Sequence, residues 1–159
     1  MTPIPNIVDE ITSSQIVELL DNWSKFIKAI SEITEIEMLI NTIPLYKKKY
    51  IFLIIEPHRY SRLNDLYAEY LSVLKKINNL IILKTYEAGE SYKKGMRNSK
   101  NLVNDLNVLY NQKTKYIDNY SDLFSLLDEY VKNQRDSIII SAGAGEISNQ
   151  IRFFYDSRK

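Results

Sequence analysis

Residues Tyr50-Ile51-Phe52-Leu53-Ile54-Ile55 form an unbroken apolar run, and the chain after it switches at once to an apolar period of three and four. A strand that is apolar at every position has to be covered on both faces, as in a parallel sheet between two helical layers. Leu80 to Leu83 and Ser137 to Ser141 repeat that character, and Thr114 to Ile117 and Lys25 to Ile30 are further strand candidates. Between them lie helical stripes. Leu63, Leu66, Tyr67, Tyr70, Leu71, Leu74 and Ile77 predict one helix capped by Ser61. Leu102, Val103, Leu106, Leu109 and Tyr110 predict a second after Ser99, and Leu123, Phe124, Leu127, Tyr130 and Val131 a third after Ser121. Ile147, Ile151, Phe154 and Tyr155 close the chain as a fourth, and Ile33 to Ile43 precede the signature as a helix that Pro44 ends. Such alternation argues for an α/β fold, a mostly parallel sheet with helices on both faces and right-handed crossovers.

The 159 residues suit one domain with a single continuous core. Residues 1–23 are read as a helical extension, with Ile16, Val17, Leu19, Leu20 and Trp23 on one face, and residues 24–159 as the α/β domain. A net charge of +1 predicts neither a nucleic-acid field nor a membrane patch. No apolar run approaches the roughly 20 residues needed to cross hydrocarbon. Met1 to Ser14 lacks a basic start followed by an apolar stretch, so it is read as mature chain, and zero cysteines suit a reducing, cytoplasmic setting.

The chemical signature follows the first apolar run. Glu56-Pro57-His58-Arg59-Tyr60-Ser61-Arg62 puts two guanidiniums and the only histidine where a buried strand ends and a helix begins. Open α/β sheets collect ligands at that edge, and a helix N-terminus already favours anions. Arg59 and Arg62, three apart, can therefore converge on one carboxylate or phosphate. A competing arrangement pairs Arg62 with Asp65 and Arg59 with Glu56 as surface ion pairs worth about 0–1 kcal/mol. A lone histidine is more often structural than catalytic, so a multi-histidine metal site is not expected.

This heptad resembles the Gln-Pro-His-Arg-Tyr-Ser/Thr-Arg of the C-terminal domain of UDP-N-acetylmuramate:L-alanine ligases, enzymes of peptidoglycan synthesis. Tyr86-Glu87-Ala88-Gly89-Glu90 is similar to that family's Tyr-Pro-Ala-Gly-Glu, Gly95 and Ser99 match its Gly and Ser, and Ala142 to Ile147 resemble its Gly-Ala-Gly-Asp/Asn-Ile. The resemblance runs from Ser31 to Tyr155 and implies a Rossmann-like sheet. It implies that His58, Arg59 and Arg62 bind substrate, L-alanine among them, and that the Gly143/Gly145 turn faces nucleotide. By themselves the two glycines fit equally a tight turn that lets strand and helix pack. Glu90 reads as a solvated loop carboxylate.

The resembled reaction is ATP-driven ligation, in which a carboxylate takes a phosphoryl group and the amine of alanine then displaces phosphate. No Gly-x-x-x-x-Gly-Lys-Ser/Thr loop occurs in this chain. ATP or ADP and Mg²⁺ are thus expected only with a separate chain that supplies the central ATP-binding domain, and no catalytic residue is assigned here. Ile27 to Ile33 also replace the family's Asp-Asp-Tyr-Gly-His-His-Pro, removing the acid, the tyrosine and both histidines. A binding module without catalysis is the alternative expectation.

Overall fold

A computed structural model describes residues 32–48, 50–133 and 136–158. The predicted extension at 1–23 and the strand candidate Lys25 to Ile30 lie outside them. Four strands, β1 (Tyr50–Glu56), β2 (Leu80–Leu83), β3 (Lys115–Ile117) and β4 (Ser137–Gly143), form one sheet in the order β3-β2-β1-β4. All three pairings are parallel. The predicted α/β class and the three longer strands are therefore as expected, and the short strand begins one residue late, at Lys115.

Alternation along the central strands divides the core in two. Leu53 and Ile55 of β1 and Leu80 and Ile82 of β2 face α1 (helical over 32–42), α2 (Tyr60–Asp65), α3 (Tyr67–Leu74) and α4 (Ser99–Tyr110). Ile54, Ile81 and Leu83 face α5 (Tyr120–Asn133) and α6 (Ile147–Asp156). Each such side chain, fully withdrawn from water, contributes roughly 1.5–3 kcal/mol. The unbroken apolar runs are thus the cost of being covered twice.

Several local expectations change. The stripe from Ser61 to Ile77 is two helices hinged at Leu66, whose φ of −106° and ψ of 21° bend the axis. The backbone ladder continues across the bend, from the Leu66 N–H to the Arg62 carbonyl and from the Tyr70 N–H to the Leu66 carbonyl. Both Leu66 and Tyr67 are buried there. Ser61 is not the cap: α2 starts at Tyr60, with Arg59 before it and no side-chain cap. Asn98 caps α4, which begins at Ser99, through a reciprocal bond with Asn101, while Asn119 accepts the Asp122 N–H at 2.9 Å in the first turn of α5. Leu109, Tyr110, Val131 and Tyr155, read as parts of buried stripes, are exposed. At α1, Ile36 and Ile40 are buried, and the helix gives way to a 3-10 turn containing Pro44.

This topology fixes where a site can form. From β1 the chain moves outward through β2 to β3 and then returns to place β4 on the other side of β1. Strand order therefore reverses between β1 and β4, and the connections at their C-terminal ends leave towards opposite faces.

Candidate functional site

At that edge β1 is extended by its loop. The Arg59 N–H donates to the Tyr86 carbonyl at 2.7 Å and the Tyr86 N–H to the Pro57 carbonyl at 2.8 Å, so His58 and Tyr86 pair as a parallel bridge. The chain must then turn sharply into α2. Arg59 makes the turn with φ 66° and ψ 138°, a backbone conformation costly for a residue with a side chain. Glu90 completes the corner from the neighbouring loop, accepting the Ser61 N–H at 3.0 Å and its Oγ at 2.5 Å. Burial pushes the Glu90 carboxyl up, but these bonds and the Arg59 charge together hold it below its ordinary value. Glu90 is therefore no solvated loop acid. It is the negative cap of α2, supplied by the turn Glu87-Ala88-Gly89-Glu90, in which Ala88 and Gly89 both have positive φ.

Two cavities open beside this corner, one on each face of β1. The first, of about 580 Å³, lies between α1 and the β1–α2 loop and is lined by Glu32, Glu35, His58, Arg59, Arg62 and Gly143 among others. The structure thus brings together the three predicted substrate-binding residues and one of the two predicted glycines. The arginines differ sharply. Arg62 donates from Nη1 to Glu32 Oε2 at 2.9 Å, and both side chains are largely buried, at 17% and 11% exposure. The Tyr70 hydroxyl donates to the other Glu32 oxygen. Arg59 is exposed and makes no ion pair or side-chain hydrogen bond among the described residues. Neither surface pair foreseen for the arginines forms. Arg62 turns towards α1 instead of Asp65, and Glu56 points to the opposite face from Arg59.

His58 stacks on Tyr86 with ring centroids 5.6 Å apart. Burial lowers its pKa, and the charges of Arg62 and Arg59 add to this against Glu32 and Glu90, so the ring is neutral at pH 7. Its Nδ1 is buried with no hydrogen-bond partner among the described residues.

The second cavity, of about 360 Å³, is lined by Glu56, Tyr86, Tyr120, Asp118 and Glu146 among others. Glu56 shares the alternation of Ile54 and so faces α5 and α6. It is 4% exposed. One carboxylate oxygen accepts the Tyr120 hydroxyl and the other accepts the Ile147 N–H, the first of α6, at 3.3 Å. Burial raises its pKa despite those two bonds, and Glu146 adds to the rise. Both glycines of the β4–α6 turn pack here. A Cβ on Gly143 would meet Glu56 Cβ, the Glu56 carbonyl and Ile147 Cγ2, each at 2.9 Å. A Cβ on Gly145 would fall on the Glu56 carboxylate and within 2.9 Å of the Tyr86 ring.

Glu32, Tyr120 and the Glu90–Ser61 bond escaped the sequence reading. Their partners are far along the chain, and only the packing of α1 and the loops brings them in. The one clue to Glu32 was its place in the segment where the resembled motif is replaced.

Fold and corner together define the class: a parallel α/β domain with a ligand-type crevice at the strand-order reversal and cationic side chains on its rim. No protein-family model matches the chain. A curated protein does: UDP-N-acetylmuramate--L-alanine ligase from Wigglesworthia glossinidia brevipalpis is 34% identical over 119 residues, 73% of this chain and 24% of the ligase. The chain is a divergent, ligase-related homologue of that part of the enzyme and spans about a quarter of the relative's length.

Proposed function

We propose that the domain binds a small carboxylate ligand at Arg59, in the role that the C-terminal domain plays in alanine-adding ligases, with L-alanine as the leading candidate and His58 and Arg62 shaping the site. The observation that carries this is an exposed guanidinium that makes no ion pair or side-chain hydrogen bond among the described residues, the nearby Glu90 being bound to Ser61, beside a cavity of about 580 Å³ at the strand-order reversal. The backbone at Arg59 supports it, since strain kept at a charged corner is common where ligands bind.

Ligation needs more than these residues provide. Among the described residues no three His, Cys, Asp or Glu side chains cluster to hold a metal ion. The first N–H of α6, where a phosphate could otherwise sit, is given to Glu56. In this reading ATP and Mg²⁺ arrive with a separate chain that carries the N-terminal and central ligase domains, and the Gly143/Gly145 turn lies towards that nucleotide. In this reading the chain by itself does not ligate. A sequence without cysteine supports a reducing, cytoplasmic setting for this role; among the described residues no helix is long and apolar enough to cross a membrane.

Calorimetric titration with L-alanine and with ADP tests the proposal. Heat with alanine that vanishes in Arg59→Ala is expected, and no heat at millimolar ligand would overturn it. A second reading, a binding module with no part in ligation, is favoured by the replaced segment Ile27 to Ile33 and by the internal neutralisation of Arg62. Alanine-dependent ATP hydrolysis on mixing with a chain that carries the central domain would exclude that reading.

A further inference from the structure

We infer that Glu32 sets the charge class of ligand this cavity accepts, because it fills the anion position on Arg62 from within. The inference rests on reading the cavity as a ligand site. A guanidinium fork is suited to a carboxylate or a phosphate, and Arg62 already holds a carboxylate, at 2.9 Å. That carboxylate is not a loosely attached surface acid. Its second oxygen accepts the hydroxyl of Tyr70, a fully buried side chain of α3, so α1, α2 and α3 together hold it in place.

The consequence is a charge count. Arg59 and Arg62 face the cavity from the β1–α2 side, Glu32 and Glu35 face it from α1, and His58 is neutral. Two positive and two negative groups line the cavity, and Glu90, bound to Ser61, adds its charge beside Arg59, so a doubly charged anion meets no net attraction. Only Arg59 has an open fork, and one fork serves one carboxylate. With Glu32 present the cavity therefore takes singly charged carboxylates and turns away phosphate. Removing the Glu32 charge would leave Arg62 partly buried and short of a partner, next to a second open arginine. Two such forks make a site for a phosphate dianion.

The test titrates acetate and inorganic phosphate into the wild type, Glu32→Gln and the double variant Glu32→Gln/Arg62→Gln, followed by amide chemical shifts. The wild type is expected to bind acetate at least as well as phosphate. Glu32→Gln is expected to bind phosphate about tenfold more tightly than the wild type does, with the gain lost in the double variant. An unchanged phosphate affinity in folded Glu32→Gln overturns the inference, as does a gain that persists without Arg62. Should Glu32→Gln unfold, its recovery on adding phosphate supports the inference. If it stays unfolded, Glu32→Ala, which removes the same charge and the polar head with it, decides by the same phosphate reading. Failure of the site itself looks different: then no variant binds either anion, whereas acetate binding without the phosphate gain removes only the role of Glu32.

Discussion

The two cavities at the C-terminal edge of the sheet stand back to back across β1 and share their loops, but they dispose of charge in opposite ways. On the α5/α6 face a carboxylate is enclosed: Glu56 accepts the Tyr120 hydroxyl and the Ile147 N–H, and two glycines close over it. On the α1 face one arginine is closed by Glu32 and Tyr70, while the other is left open on a costly backbone. A buried acid whose two oxygens are each met from within holds loops together. An exposed charge with no ion pair to hold it, kept on a costly backbone, belongs to an encounter with something else. One residue of β1 decides between these fates, because alternation sends Ile55 to one face and Glu56 to the other.

The enclosed side breaks first and by most. At Gly143 the added methyl would press on backbone and Cβ atoms that cannot yield, so Gly143→Ala is expected to cost about 3 kcal/mol by denaturant titration. At Gly145 the obstacle is a carboxylate end and a ring that can shift, and about 1–2 kcal/mol is expected. Equal, small losses at both would mean that the turn does not clasp Glu56. Gly145→Ala, which lies outside the lining of the α1-face cavity, should not abolish carboxylate binding by the remaining folded protein, which separates the two faces.

Next in size is the carboxylate itself. Tyr120→Phe removes a donor to a buried acid and should cost about 1–2 kcal/mol at pH 7. The pH dependence has a definite sign. Glu56 titrates above its ordinary value of 4.5, chiefly because it is buried, so the folded protein holds that proton more tightly than the unfolded chain. Its contribution is therefore present below pH 4.5 and is lost as pH rises through the folded value. Glu56→Gln keeps the shape, removes the titration, and should flatten this part of the curve when compared with the wild type. A variant that tracks the wild type through that window would show that Glu56 is not held proton-rich.

Much of this comparison was legible in the chain before any coordinates. Continuous apolar runs such as Tyr50 to Ile55, short and rich in β-branched residues, fit strands covered twice, and a strand that ends in Glu-Pro-His-Arg before a helical stripe marks the ligand edge of the sheet. What could not be read was pairing at a distance. Arg62 had Asp65 three residues away and Glu32 thirty away, and the distant acid won because α1 packs on α2 through Ile36 and the sheet. Stripes were also drawn too long: Leu109 and Tyr110 continue the period of α4 but are exposed, Tyr110 with only the Lys75 ammonium over its ring. Period tells which face of a helix is apolar; it does not tell how far along the helix that face is buried.

The smallest effect is the sharpest test of the open side. Arg59 sits at φ 66° and ψ 138°, where a side chain costs roughly 1–3 kcal/mol and glycine does not pay. Arg59→Ala keeps that strain and Arg59→Gly releases it, at a cost of about 0.5–1 kcal/mol in unfolded-chain entropy. Arg59→Gly should therefore be at least as stable as the wild type and about 1 kcal/mol more stable than Arg59→Ala, while both lose carboxylate binding equally. Gain in one property with loss in the other is what a residue retained for a ligand predicts. If glycine destabilises the fold, the backbone at the corner is at ease and the strain argument goes. If glycine binds carboxylate as well as arginine does, the open charge on the α1 face is as internal a matter as the closed one behind it.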